Sequence, residues 1–368
     1  MSRIRYDWSK LCPDLLVSIL EGLGTNDFHR ARTVCSDWYS VSRTCMRPLY
    51  PWLILFSKHS TLFLDPGKDE IHEIEHPGVD FLSSYVMASC SNWLLIADSR
   101  QDLYLLNVFT RERIDLPSMD SALLGHSRFQ RKEEWKHFIN LTPSNISACL
   151  WMNERTGEYV VAWSFKKHYL FSYKRGDDSW CDIQGTSCES MAYKNKKLYV
   201  YTSDGYIKIL DISGDSPHEI LEGNPYLCSR FCFVSQPVWR RRVAITNSGE
   251  VLIALSLKGL KEEKGLFYIF KMNVRNGKWE RVDSLGGEML IFGHGLTIRA
   301  PVKVIDGEGI KSDSVCFMGD DLWPGQDYFN TNRRTKCGVF DLAKSSITWP
   351  KTLDDSFLKS SWFVPGHA

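Results

Sequence analysis

At 368 residues the chain exceeds one average domain, and Lys+Arg 45 against Asp+Glu 44 leaves a formal charge of +1, which removes any general electrostatic pull toward nucleic acid, an anionic membrane or a polyacidic substrate. Hydrophobic content of 43% with 13 Trp excludes a largely disordered chain, which would lack the apolar surface to offset its conformational entropy. Two folded domains of unequal size are expected.

The first residues, Met1-Ser2-Arg3-Ile4-Arg5-Tyr6-Asp7, lead into no apolar run of the kind that forms a secretory signal, and no stretch of about 18 uncharged apolar residues follows anywhere. A soluble intracellular protein of the nucleus or cytoplasm is the expectation. The 11 Cys are scattered, with neither the Cys-x-x-Cys spacing of zinc sites nor a repeated disulfide framework. They read as reduced thiols, mostly packed.

Pro13 and Asp14 open a helix: proline loses nothing in the first turn, and a carboxylate there suits the helix dipole. Leu15, Leu16, Ile19, Leu20 and Leu23 follow at helical spacing, closed by Gly22 and Gly24. A second start at Thr25-Asn26-Asp27 leads into Phe28, Ala31, Val34, Cys35, Trp38 and Val41, which predicts one longer helix or a broken pair. A unit of about 40 residues hides that much apolar surface poorly by itself. Burying five Leu or Ile side chains contributes about 7–15 kcal/mol before entropy, so a partner is expected to cover the surplus face, the alternative being the chain's own second domain.

The order Trp8, Leu11, Pro13-Asp14-Leu15-Leu16, Ile19-Leu20, Leu23, Asp27-Phe28, Arg30, Val34-Cys35, Trp38 resembles an F-box. It departs by the inserted Cys12 and by Tyr39, where a basic residue often follows the Trp. The same segment is similar to that of plant F-box proteins whose C-terminal part is a β-rich DUF295-type domain. The resemblance implies the substrate receptor of an SCF-type ubiquitin ligase, with no cofactor and no bond chemistry of its own. Its F-box would bind a Skp-type adaptor, and through it a cullin scaffold, while the C-terminal domain holds an unidentified target protein. The positions matching the motif, hence the adaptor-binding candidates, are Pro13, Leu15, Leu16, Ile19, Leu20, Val34, Cys35 and Trp38.

After Pro48-Leu49-Tyr50-Pro51 the apolar period changes from helical to alternating, placing a helical module at 6–48 and a β domain at 51–368. Six hairpin-like units recur: Phe63-Leu64-Asp65 to Ile74, Leu105-Leu106-Asn107 to Leu116-Pro117, Phe171-Ser172-Tyr173 to Trp180, Ile209-Leu210-Asp211 to Ile220, Ile269-Phe270-Lys271 to Trp279, and Val339-Phe340-Asp341 to Trp349-Pro350. A separation of roughly 40–70 residues suits β-propeller blades. The fold class is therefore α+β multidomain: a three-helix F-box, then an all-β, propeller-like domain of about six blades. Seven blades, or a less regular sandwich or barrel, are the alternatives. Trp180, Trp279 and Trp349 follow turns and read as packing between sheets. The long interruptions, Ser118 to Asn145 and Met318 to Lys336, are where recognition belongs on such a scaffold; the second supplies the target-binding candidates Trp323, Tyr328, Phe329 and Arg333, residue types enriched in hot spots.

Sharper chemical readings fail on context. His72-Glu73-Ile74-Glu75-His76 fits HExxH, but it lies between turn-rich Asp65-Pro66-Gly67 and Pro77-Gly78 at a strand position, where the two rings stand about 13 Å apart, too far for one metal. Arg240-Arg241-Arg242 runs straight into Val243-Ala244-Ile245 and reads as the solvated start of a strand rather than a phosphate contact. The acidic pairs Asp177/Asp178, Asp320/Asp321 and Asp354/Asp355 are sequence neighbours whose side chains diverge on extended backbone, so none forms a glycosidase dyad. A propeller scaffold or small-ligand (glycan) binder without ligase recruitment is the alternative function.

Overall fold

Pro13 occupies the first turn of α1 (Pro13–Gly22) with Asp14 beside it. The inserted Cys12 leaves that turn intact: its backbone is extended and its carbonyl accepts the Leu16 N–H at 3.1 Å. The second apolar stretch is a broken pair, α2 (Thr25–Ala31) and α3 (Ser36–Ser42). The break occurs where Thr33 and Val34 donate to the carbonyls of Arg30 and Ala31, an i−3 pattern that tightens and ends a helix, and Cys35 then takes extended backbone before α3. Leu20, Phe28, Ala31 and Cys45 form the core of the module, with Val17, Leu23, Trp38 and Val41 against it. The computed structural model describes residues 11–23, 25–45, 51–65, 70–124, 146–214, 216–227, 229–231, 237–257, 267–299, 310–318, 321, 337–348 and 359–365.

The rest is a ring of six sheets, a six-bladed β-propeller. The second to fifth blades are each four consecutive antiparallel strands. They begin with the inner strands Tyr85–Cys90, Ile146–Asn153, Ser190–Lys194 and Val238–Ile245, which pack against one another in succession. In the first blade the inner strand comes from the far end of the chain: Lys359–Phe363 pairs with Trp52–Phe56, Leu53 facing Trp362 and Phe56 facing Lys359. This closes the ring, because Lys359–Phe363 also packs against Ser314–Met318 and Tyr85–Cys90.

Burial follows from that geometry. Second strands such as Trp93–Ala97 and Val251–Leu257 are buried at every position, whereas the inner strand Tyr85–Cys90 and the first half of Val238–Ile245 are half-exposed throughout. The axis of the ring is thus open to solvent, and the cores lie between neighbouring blades.

Each of the six hairpin units read from the sequence is the third-to-fourth-strand hairpin of one blade. Four of their turns share a device. Asn107 Oδ1 accepts the Phe109 and Thr110 N–H groups, Asp211 Oδ1 that of Ser213, Asn273 Oδ1 that of Arg275 and Asp341 Oδ1 that of Lys344, so the Asx side chain mimics a backbone turn. The outer strands repeat a second device: Arg113 covers Tyr104 at 3.9 Å and Arg281 covers Tyr268 at 3.8 Å, each Nε held by the carboxylate two residues on, Asp115 or Asp283. Trp180 and Trp279 pack as expected. The indole of Trp180 donates to the Pro117 carbonyl at 2.9 Å, and that of Trp279 to Ser229 at 3.1 Å, tying outer strands to the links that precede their blades. Trp349 lies outside the described residues.

The sixth blade is irregular, with five strands. Glu288–Ile291 runs parallel to Ser314–Met318, and Thr297–Arg299 adds inside it. The turn between them presses on the fourth blade: Gly295 has φ +82°, and a Cβ there would stand 3.1 Å from the Ala192 side chain, so any side chain there is strained and glycine is favoured.

His76, at the end of the would-be HExxH run, is 2% exposed. The run forms the strand Glu70–Glu75, and His76 turns inward, with Nε2 3.0 Å from Thr61 Oγ1 and its ring edge-on to Phe81. Burial, aided by the charge of Arg111, lowers its pKa from 6.5 to about 4. Above pH 6.5 both folded and unfolded states are neutral at this site. As pH falls toward 4 only the unfolded chain takes the proton, so stability drops by up to about 3 kcal/mol. His76→Gln is expected to flatten that part of the profile, measured as urea midpoints between about pH 7 and pH 4.5.

Candidate functional site

The structure sorts the eight motif positions of the helical module. Leu16 and Leu20 are buried, at 1% and 0% exposure, and belong to the interior. Pro13 is exposed, and Leu15 and Val34 are among the most exposed large apolar side chains of the described residues, at 55% and 62%. Ile19, Cys35 and Trp38 are intermediate, Trp38 lying against the module's core. Leu15 lies in α1 and Val34 in the connection before α3. Uncovered aliphatic groups on so small a unit favour a protein partner, since each loses free energy only when water is removed from it.

Two arginines close in sequence divide the module's charge between solvent and contact. Arg30 is 82% exposed and makes a surface pair with Asp27. Arg32 is 6% exposed and reaches out of the module to Glu154, 13% exposed, at 3.8 Å. Its guanidinium also lies 5.4 Å from the Tyr39 ring and 6.0 Å from Phe28. Glu154 belongs to the turn between the first two strands of the third blade, and its Oε1 accepts the N–H of Asn92 from the equivalent turn of the second blade. Burial raises the Glu154 carboxyl above its ordinary pKa against the opposing pull of Arg32. The module is therefore anchored on first-turn ends of the second and third blades. Nothing in His29-Arg30-Ala31-Arg32 distinguishes the anchor by sequence.

A buried ion pair is costly to break because one charge is left without its partner. Arg32→Met is expected to cost about 2 kcal/mol of docking and Glu154→Gln less, with the double change below the sum of the two. Thermal melts of the four proteins, with protease sensitivity near residue 48 as a second readout, check the coupling.

Because adjacent strands are antiparallel, the turns after the first and third strands of a regular blade share one end of the ring, and the second turn and the link onward lie at the other. Hydrogen bonds tie the first end together, as between Val108 and Asn92 at 3.0 Å and between Lys194 Nζ and the Asn247 carbonyl at 2.9 Å. Helices dock at that end. Met318 closes a second strand and Cys337 opens a third, so the two strand ends that bracket the loop 319–336 stand at the opposite end of the ring. Trp323, Tyr328, Phe329 and Arg333 lie in that loop, outside the described residues, as does most of 118–145.

Arg240-Arg241-Arg242 corrects its sequence reading. The run is not a solvated strand start but part of the axis-lining strand Val238–Ile245, and the Arg240 side chain is only 12% exposed, 3.9 Å from Asp321. Sequence shows a strand there without showing that it is innermost. Of the acidic pairs, Asp321 is spent on this contact and on the Met318 N–H, while Asp177 closes its own turn by accepting the Lys174 N–H. Among the described residues no group of three His, Cys, Asp or Glu side chains could hold a metal, and no helix is long and apolar enough to cross a membrane. The nine described cysteines are free thiols, and burial pushes that of Cys188 up to about 12.

Residues 8–49 match the F-box domain and residues 63–341 the KIB1-4 beta-propeller. Three relatives from Arabidopsis thaliana are similar along their whole length. F-box protein At2g33200 is 62% identical, covering 100% of both chains. F-box protein At2g33190 is 50% identical over the same shares, and F-box only protein 7 is 46% identical over 99% of this chain and 95% of its own. Among solved structures, the N-terminal domain of Nup159 has a loose likeness, with a TM-score of 0.35 at 11% identity over 83% of this chain and 74% of that one.

Proposed function

The chain belongs to the plant F-box proteins that carry a KIB1-4 beta-propeller, and from that premise we propose that it is the substrate-recognition subunit of an SCF-type ubiquitin ligase. The helical module, residues 6–48, binds a Skp-type adaptor and through it a cullin scaffold; the β domain, residues 51–368, holds a target protein. It does no bond chemistry itself. The observation that carries this reading is the exposure of Leu15 and Val34 on a module whose core is already complete without them. Pro13, Leu15, Ile19, Val34 and Cys35 form the adaptor face, with Leu16, Leu20 and Trp38 supporting it from within.

The Arg32 anchor supports a division of labour between the two ends of the ring. Helices occupy the end of the first turns, which leaves the other end, with the loop 319–336, for the target. Co-elution of the purified chain with a Skp-type adaptor, beside a known F-box protein as control, tests the reading; failure of this chain where the control succeeds overturns it. In that event the solvent-open axis favours the second reading, a ligand-binding propeller without ligase recruitment.

A further inference from the structure

On a strand, residues two apart share a face. Arg240 and Arg242 therefore project together, while Ala244, next on that face, enters the packing between the fifth and sixth blades. Among the described residues, Arg240 has one carboxylate near it, Asp321, at 3.9 Å and 10% exposed. That carboxylate is fixed from elsewhere: its Oδ2 accepts the Met318 N–H at 2.9 Å, and its own carbonyl accepts the Ser256 hydroxyl at 2.7 Å. Arg242 is half-buried, and its Nε is enclosed with no acceptor among the described residues. The charges and polar groups it feels are Arg240, Asp321, Tyr85 and Cys188. Tyr85 opens the inner strand of the second blade, and Cys188 lies just before that of the fourth. Arg242 thus faces groups from across the ring, at the end of the axis where inner strands begin and away from the helices.

Among the described residues, two guanidiniums against one carboxylate leave an excess positive charge at a partly desolvated position, where like charges repel more strongly than in bulk water. Arginine stays protonated under such strain. The arrangement persists most economically if an anion completes it. Two residues of strand separate the side chains by about 7 Å, and each guanidinium offers a planar fork that fits two oxygens of one oxyanion.

We propose that the axial mouth of the ring, at the end away from the helices, binds a compact oxyanion between Arg240 and Arg242, beside the fixed Asp321 carboxylate, which competes with it for Arg240. The oxyanion is a carboxylate or phosphate group, free or borne on a target side chain. In the second case it deepens the receptor role proposed above. In the first it stands independently of that role.

Thermal melts and calorimetric titrations of the full chain test it, using inorganic phosphate, acetate, and capped Gly-x-Gly peptides with Glu, phosphoserine or Gln at the centre, all at constant ionic strength. At least one anionic probe is expected to raise the melting temperature saturably, on the order of 3 °C, while the Gln peptide does not. Arg242→Gln weakens that binding roughly tenfold or more, and Asp321→Asn, which removes the competing carboxylate, strengthens it. A preference for peptide over free anion assigns the source to the target, and parity assigns it to a free ligand. Absence of any saturable shift in the unmodified chain, or equal binding by Arg242→Gln, overturns the proposal. Adaptor co-elution of the same variants, expected to be unchanged, keeps this result separate from that of the ligase reading.

Discussion

Replacing Leu15 and Val34 together by Asp is expected to lower affinity for a Skp-type adaptor at least about a hundredfold while leaving the melting temperature of the free chain nearly unchanged. Each side chain is more than half exposed, so in the free protein a carboxylate at either position stays hydrated and costs little. In the complex, two apolar groups each contributing roughly 1.5–3 kcal/mol on burial are replaced by charges that must be desolvated. A loss of about 2.7 kcal/mol already corresponds to a hundredfold in the dissociation constant. Leu20→Asp is the control of opposite kind: at 0% exposure it places a charge in the module's core and is expected to unfold the helices. Titration calorimetry with the adaptor, paired with circular dichroism, separates the cases. Weak binding with intact helices supports the assigned face; undiminished binding by the double variant removes it.

The second large effect concerns ring closure. A chain ending at residue 358 lacks the inner strand of the first blade, and its loss exposes Trp52–Phe56, buried at all five positions. It also removes Trp362, 4% exposed, whose indole donates to the Phe317 carbonyl at 2.9 Å, and Phe363, which meets Phe63 edge-on at 6.0 Å. Truncation is expected to abolish a cooperative melt. The milder Trp362→Ala should cost about 3–5 kcal/mol, combining lost burial, a cavity and an unpaired carbonyl. A truncated chain that melts as sharply as the full one would mean that the ring does not depend on its last strand.

Much of this architecture was legible because hairpins announce themselves locally. The Asx residues at Asn107, Asp211, Asn273 and Asp341 end one strand and shape the next turn within four residues, so these outer hairpins left readable units. Inner strands left none. Tyr85–Cys90 and Val238–Ile245 are specified by what lies across the axis and in the neighbouring blades, which alternation along one segment does not encode. That is why Arg240-Arg241-Arg242 read as solvated. The irregular sixth blade was equally opaque, since the parallel pairing of Leu290 with Val315 joins segments separated by a second crossing. In the helical module the motif pointed to the F-box family, but spacing could not tell the buried Leu16 from the exposed Leu15, because adjacent residues on a helix differ only in which face the neighbouring elements cover. Arg32 was missed for a similar reason: its partner, Glu154, lies in the other domain.

Ring closure by the last described strand has a consequence during synthesis. Trp52–Phe56 leaves the ribosome roughly 300 residues ahead of the strand that covers its open edge, a wait of roughly 15–60 s at ordinary elongation rates. Throughout that interval the nascent chain carries a flat, wholly apolar strand with an unpaired row of backbone groups, the kind of edge that recruits other chains. Polysome crowding, slow codons late in the message or a shortage of chaperone would therefore convert directly into aggregated protein, and cellular abundance of this protein should be more sensitive to the speed of translation over its final fifth than to changes of similar size in its folded stability.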